Sequence, residues 1–261
     1  MSTTITTAFV QQFSSNIAML SQQMGSLLRS SVDVESVNAE KAFFDQVGVA
    51  AAVARTTRNS DTPLMDTPHT RRMVTMTDYE YADLIDSQDK IRMLADPTST
   101  YARAAAAAMG RAMDDVIIAA MHGTAKTGAS GATSVSFPAA QQIAHGSAGL
   151  TIAKLLSAKE ILDANSVDPS IPRYLVASPK QMSDLLGTTQ VTSSDFNTVK
   201  SLVQGQIDSF MGFKFISSNR LPHNGTSRQV FAYAMDGMKV AIGKEPTAKI
   251  DERADKSYST Q

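Results

Sequence analysis

The stretch GQIDSFMGFKFISSNRLP, residues 205–222, sets an apolar run between two kinds of punctuation. Phe213, Phe215 and Ile216 crowd into 211–217, and Ser-Asn-Arg-Leu-Pro follows. A run of that length, entered through Met-Gly and closed by a proline, predicts a β-strand that begins at a helix end and stops hard. No side chain in it forms a catalytic arrangement. The strand reads as scaffolding, and the flanking sequence decides what it supports.

The flanks alternate. RYLVAS (173–178) predicts a buried strand. SPKQMSDLL (178–186) predicts a helix with Ser178 as N-cap, Pro179 at its first position and Gln181 completing a capping box. LTIAKLLSAKEILDAN (150–165) and SSDFNTVKSLVQGQ (193–206) predict two more helices. QVFAYA (229–234) and MKVAIG (238–243) predict strands separated by a turn at Asp236-Gly237. Strands alternating with short helices suggest a mixed sheet.

Further toward the N-terminus, residues 96–122 are alanine-rich. Asp96 is placed as N-cap, Pro97 as first helical residue and Gly123 as the stop. The expected helix is roughly 40 Å long at 1.5 Å per residue. The Gly/Ser/Thr/Ala-rich segment 123–150 reads as a surface loop. Its GTAKTGASG lacks the phosphate-loop spacing, because Lys126 precedes Gly128. Residues 36–83 read as a long hairpin: two strand-like runs, the second RRMVTMTDYEYADLI, flank a tip TTRNSDTPLMDTPHT. A two-stranded hairpin is marginal alone and needs a surface to lie on. Its charges, Arg55, Arg58, Arg71 and Arg72 among Asp61, Asp66, Asp78, Glu80 and Asp83, suit either a solvated face or pairing with a neighbouring subunit. Residues 8–30 place Phe9, Phe13, Ile17, Leu20, Met24, Leu27 and Leu28 on one helical stripe. That stripe has no core of its own; it packs on its own subunit or on a neighbour.

Composition narrows the chemistry. The chain has 261 residues, 43% of them apolar, enough for one large domain or two modest ones. A net charge of -1, without a basic arm, offers no grip on nucleic acid or anionic membrane. Absence of cysteine removes disulfides, thiolate metal sites and a Cys nucleophile. Neither a signal peptide nor a run of about 18 apolar residues is visible, so no membrane partner is expected. The four histidines, His69, His122, His145 and His223, form no metal-binding pair. Asp114 and Asp115 point about 100° apart on a helix and do not share a site. No catalytic residue, cofactor site or metal site is assigned, and no enzyme is expected. Abundant methionine, 14 residues, is a weak sign of adaptable contacts.

The order of parts carries more than any single motif. A terminal helical arm, a long hairpin, a spine helix and an α/β unit ending in FMGFKFISSNRLP resemble the major capsid proteins of tailed bacteriophages with the Hong Kong 97-type fold. Gly212, Phe213, Phe215, Ile216, Ser218, Asn219, Leu221 and Pro222 match that family's strand-and-stop pattern. VASPKQMSDLL and the descent from TRRMVTMTDYEYADLI into the alanine-rich helix also look like the family. The resemblance covers nearly the whole chain. It implies an α+β fold with an N-terminal helical arm (1–35), an extended loop (36–83), a peripheral domain with the spine helix (84–165 and 237–261) and an axial domain (166–236).

The same resemblance implies function. The subunit is expected to self-assemble into pentamers and hexamers of an icosahedral or prolate shell around a double-stranded DNA genome, without sequence-specific DNA binding. Virion capsid, formed in the host cytoplasm, is the implied location. A portal protein, a separate scaffolding protein and a decoration protein are the implied partners. Arg55, Arg58, Arg71, Arg72, Asp78, Tyr79, Glu80 and Tyr81 are the expected subunit-interface residues. Some members weld subunits through a loop lysine; this chain has none between residues 42 and 89, so a non-covalent shell is expected. The alternatives are an encapsulin-type compartment enclosing protein cargo and a monomeric α/β enzyme or binding protein.

Overall fold

The computed structural model describes residues 21–59, 61, 62, 64–83, 98–187, 209–225, 227–247, 249, 251–253 and 259–260. In chain order the main elements are β1 (Asp33–Ser36), β2 (Lys41–Val47), β3 (His69–Thr75), α1 (Thr98–His122), β4 (Ala125–Thr127), β5 (Thr133–Val135), α2 (Ile152–Ala164), β6 (Arg173–Ala177) and α3 (Pro179–Leu186). Then come β7 (Ser209–Phe210), β8 (Phe213–Ser217), β9 (His223–Asn224), β10 (Ser227–Arg228), β11 (Phe231–Ala234), β12 (Lys239–Ile242), β13 (Glu252–Arg253) and β14 (Ser259–Thr260). The chain divides into two compact units. One comprises Met1–Ser26, Asp78–Met113 and Glu245–Gln261; the other comprises Leu27–Thr77 and Asp114–Lys244.

β8 and the stop that follows it lie in the second unit. β8 lies inside a four-stranded sheet ordered β11-β6-β8-β7. It runs parallel to β6, with Arg173 opposite Phe213 and Ala177 opposite Ser217. Side chains alternate across a strand, so Leu175, Ala177, Phe213 and Phe215 share a face. Leu155 of α2 and Leu185 of α3 pack there with Leu150 to make a buried cluster. Phe213, Leu155, Leu175 and Leu185 are essentially inaccessible to water. Each such burial contributes about 1.5–3 kcal/mol. The entry to β8 is a two-residue hairpin turn, Met211 at φ 54° and Gly212 at φ 87°. Two successive positive φ angles give the turn whose twist matches paired strands.

α3 begins as its sequence demands. The Ser178 hydroxyl accepts from the Gln181 backbone N–H, and the Gln181 side chain accepts from the Ser178 backbone N–H. The Pro-terminated stop after β8 is also tied down. The Ser218 hydroxyl accepts from Arg220 N–H at 3.2 Å, Leu221 is buried, and the Arg220 guanidinium clamps the Asp115 carboxylate of α1. The punctuated strand therefore joins the sheet to the long helix.

A second four-stranded sheet is ordered β2-β3-β4-β5, all antiparallel. β1 pairs in parallel with β12, and Lys239 there bridges both Asp33 and Glu35. In the first unit, α1 residues 98–113 carry Gly110, where an added Cβ would collide with the Gly25 backbone. Gly110 thus permits the crossing of the chain at 23–26, where Arg111 also bonds Gln22 and the Gln23 carbonyl. β13 and β14 form a short antiparallel pair in the same unit.

Several expectations are corrected. The helical stripe over 8–30 does not extend through 21–28, which is irregular; only a single 3₁₀ turn follows at Arg29–Ser31. Gly25 sits at φ 78°, outside helical space, and the backbone N–H groups of Leu27 and Leu28 go to Asp114 instead of to a helical carbonyl. The arm before residue 21, Asp96, Pro97 and the helix at 193–206 lie outside the described residues. Segment 123–150 is not a plain loop: β4 and β5 form a hairpin that joins the edge of β3. Its two three-residue strands pair with each other and, through β4, with β3, a long-range support that local patterning does not display. The strand predicted over RRMVTMTDYEYADLI stops at Thr75, and His69 begins β3 instead of lying in the tip. Residues 77–83 are all exposed, so no buried face rewards their alternation. β11 and β12, consecutive in sequence, enter different sheets, because β11 pairs with β6 and β12 with β1.

Candidate assembly surface

β2 and β3 form a seven-residue ribbon, Lys41 opposite Thr75 through Val47 opposite His69. The register sets Asp45 opposite Arg71, and the Arg71 guanidinium forks onto the Asp45 carboxylate at 2.5 and 3.0 Å. This bond holds the Asp45 carboxyl below the usual carboxylate range and pushes Arg71 upward. The same guanidinium lies 5.5 Å from the Phe43 ring centroid. On the neighbouring residue Phe44, the Lys239 ammonium approaches to 5.6 Å. Both are cation–π distances.

Beyond Val47 and His69 the ribbon opens into a long tip. Every described residue from 45 to 66 is exposed. Val47, Val49, Val53 and Leu64 are 66, 91, 58 and 99% exposed. Scattered surface apolar residues are ordinary, but four within one loop make the tip a candidate interaction surface. Tyr79 and Tyr81 are half-exposed beyond the far end of β3.

The expected interface residues divide accordingly. Arg71 and Arg72 lie on the ribbon, and Arg55 and Arg58 lie on the tip. Asp78, Tyr79, Glu80 and Tyr81 lie on the exposed segment that follows β3. Sequence reading missed Asp45 and Phe43, the two in-chain partners of Arg71. The alternation in KAFFDQV was the available signal, but only the register identifies the pair.

The four histidines are dispersed. His122 stacks on Phe231 at 5.9 Å, His223 bonds Arg228, His145 lends its carbonyl to Lys154, and His69 starts β3. Among the described residues no cluster of three or more His, Asp or Glu side chains has the arrangement to hold a metal ion. Among them, too, no helix is long and apolar enough to cross a membrane. Asp114 and Asp115 have separate partners, Leu27 and Leu28 for one, Arg220 for the other.

The ribbon ends in a tip whose apolar residues are turned to solvent. The chain belongs to the phage capsid protein family, whose sequence profile matches residues 5–261. That is a family of virion structural proteins that form multimeric shells, not a class of enzymes. The fold is similar to that of a Mycobacterium phage Che8 structure, with 16% identity, 97% of this chain and 89% of that chain covered, and a TM-score of 0.67. The capsid of Ralstonia phage GP4 matches with 12% identity, 97% and 87% coverage, and a TM-score of 0.69. The cyanophage Pam1 capsid matches with 14% identity, 97% and 89% coverage, and a TM-score of 0.68. No match was found among curated proteins.

Proposed function

We propose that this chain is the major shell subunit of a tailed phage, built on the Hong Kong 97-type plan and assembling into pentamers and hexamers around double-stranded DNA. The observation that carries the reading is the exposed tip of the β2–β3 ribbon, with Val47, Val49, Val53 and Leu64 uncovered. In this reading residues 36–83 are the extended loop that lies across an adjacent copy. Residues 1–35 are the arm, 84–165 and 237–261 the peripheral domain, and 166–236 the axial domain at the five-fold and six-fold axes. Arg55, Arg58, Arg71, Arg72, Asp78, Tyr79, Glu80 and Tyr81 contribute to subunit contacts.

The near-neutral charge supports a wall that encloses DNA without gripping it, because polyanion binding draws on Lys and Arg neutralising phosphates. Assembly in the host cytoplasm draws on a scaffolding protein and a portal, and a decoration protein reinforces the finished shell. The phage family match favours this reading over an encapsulin compartment and over a monomeric enzyme.

The test is a deletion. Replacing residues 50–66 by a short Gly-Ser link leaves β2 and β3 intact. Extending the deletion to residue 75 would remove β3, the strand that joins β2 to β4. The shortened chain should stay folded and soluble but form no shells. Unchanged assembly would overturn the assignment of the tip.

A further inference from the structure

Two exposed stretches of the chain, one in the tip and one after β3, carry opposite charge. Residues 54–59, ARTTRN, contain Arg55 and Arg58 and no acid. Residues 78–83, DYEYAD, contain Asp78, Glu80 and Asp83 and no base. Both stretches are exposed along their whole length. The basic stretch has a defined shape. Arg55 Nε–H donates to the Thr57 carbonyl at 3.1 Å, and Asn59, at φ 57°, turns the chain. Arg55 and Arg58 therefore precede the turn, while Asp61 and Asp66 lie on the returning limb. The acidic stretch interleaves its carboxylates with Tyr79 and Tyr81.

Carboxylates interleaved with aromatic rings suit a guanidinium. The acid takes its forked N–H groups and the ring face takes its charge. The protein already uses this combination once. Arg71 forks onto Asp45 while lying over Phe43.

We propose that the arginine tip of one copy, Arg55 and Arg58, docks onto the acidic tyrosine segment 78–83 of the next copy. This rests on the shell-subunit reading and names its contact. The two patches differ, so each copy gives one contact and receives another. Such a head-to-tail interface propagates, and it closes into rings when the rotation between copies allows.

The test is a charge swap in the full-length chain, read by electron microscopy and light scattering of assembled particles at low and high salt. Arg55→Glu with Arg58→Glu should lower the assembled fraction by about tenfold or more, as like charges then face each other. Asp78→Arg with Glu80→Arg should do the same. All four together should restore assembly to near the original yield. Circular dichroism confirms folding of each variant. Should a reversal fail to fold, the neutral sets R55Q/R58Q and D78N/E80Q apply. Each should lower assembly, and their combination should lose no more than one set alone. Two results overturn the pairing: assembly unaffected by either reversal, or a folded quadruple variant no better than its parents. A wild-type chain that never assembles overturns the shell reading beneath it instead.

Discussion

The two carboxylate oxygens of Asp114 accept hydrogen bonds from consecutive backbone N–H groups, Oδ2 from Leu27 and Oδ1 from Leu28, each at 3.1 Å. Asp114 and Leu28 are both fully buried. A helix residue thereby replaces the carbonyls that a continuing N-terminal helix would have offered. Removing the acceptor costs about 1–3 kcal/mol at the buried Leu28 N–H and less at the part-buried Leu27 N–H. Asp114→Ala should therefore destabilise the subunit by about 3 kcal/mol in chemical denaturation. Asp114→Asn keeps one acceptor but turns a donor toward the other N–H, and should cost about 2 kcal/mol. A neutral Asp114→Ala would show that the clasp holds nothing.

Tyr233 supplies a pH test. Its hydroxyl lies 2.6 Å from that of Ser31, and burial pushes the phenol up to about 12, with the Ser31 bond opposing. The folded chain holds this proton more tightly than the unfolded chain, where tyrosine titrates near 10. The stabilisation is fully present below pH about 10 and is lost as pH rises toward 12. Two pH units correspond to about 3 kcal/mol. Melting temperature should fall over that window, and Tyr233→Phe should flatten the fall. An equally steep fall in Tyr233→Phe would assign it to other groups.

The turn into β8 is a backbone test. Nothing lies within 4 Å of where a Cβ on Gly212 would be, so Gly212→Ala changes conformation and not packing. At φ 87° an alanine should cost about 1–2 kcal/mol. Phe213→Ala, next door, empties a fully buried position and should cost about 3–5 kcal/mol. Equilibrium denaturation of the two variants should rank them in that order; a reversed ranking would mean that the turn, not the aromatic ring, holds β8.

The absence of lysine between residues 42 and 89 predicts shells without covalent welds. Boiled particles should run as single chains on a denaturing gel. A ladder of covalent oligomers would contradict this.

How far the sequence disclosed this structure depended on how local the causes were. The capping box at Ser178 and Gln181, the strand at Arg173–Ala177 and the strand at Phe213–Ser217 are set by neighbours in sequence, and all were legible. Asp114 holding Leu27 and Leu28 spans more than 80 residues, so the amphipathic spacing over 8–30 pointed to helix where a distant carboxylate takes the backbone. β4 and β5 form because β3 offers an edge, and short polar strands carry little signal of their own. On the ribbon the charges of Arg71 and Arg72 were legible. The pairing of Arg71 with Asp45 was not, because register, not composition, decides it.

The central claim is that the exposed ribbon is completed by other copies of the same chain. Its most direct measurement is negative-stain electron microscopy of the purified protein, with size-exclusion chromatography and light scattering on the same sample. The account predicts closed shells, tubes, or rings of five and six subunits. A monodisperse monomer under all conditions, with a scaffolding partner supplied, would contradict it.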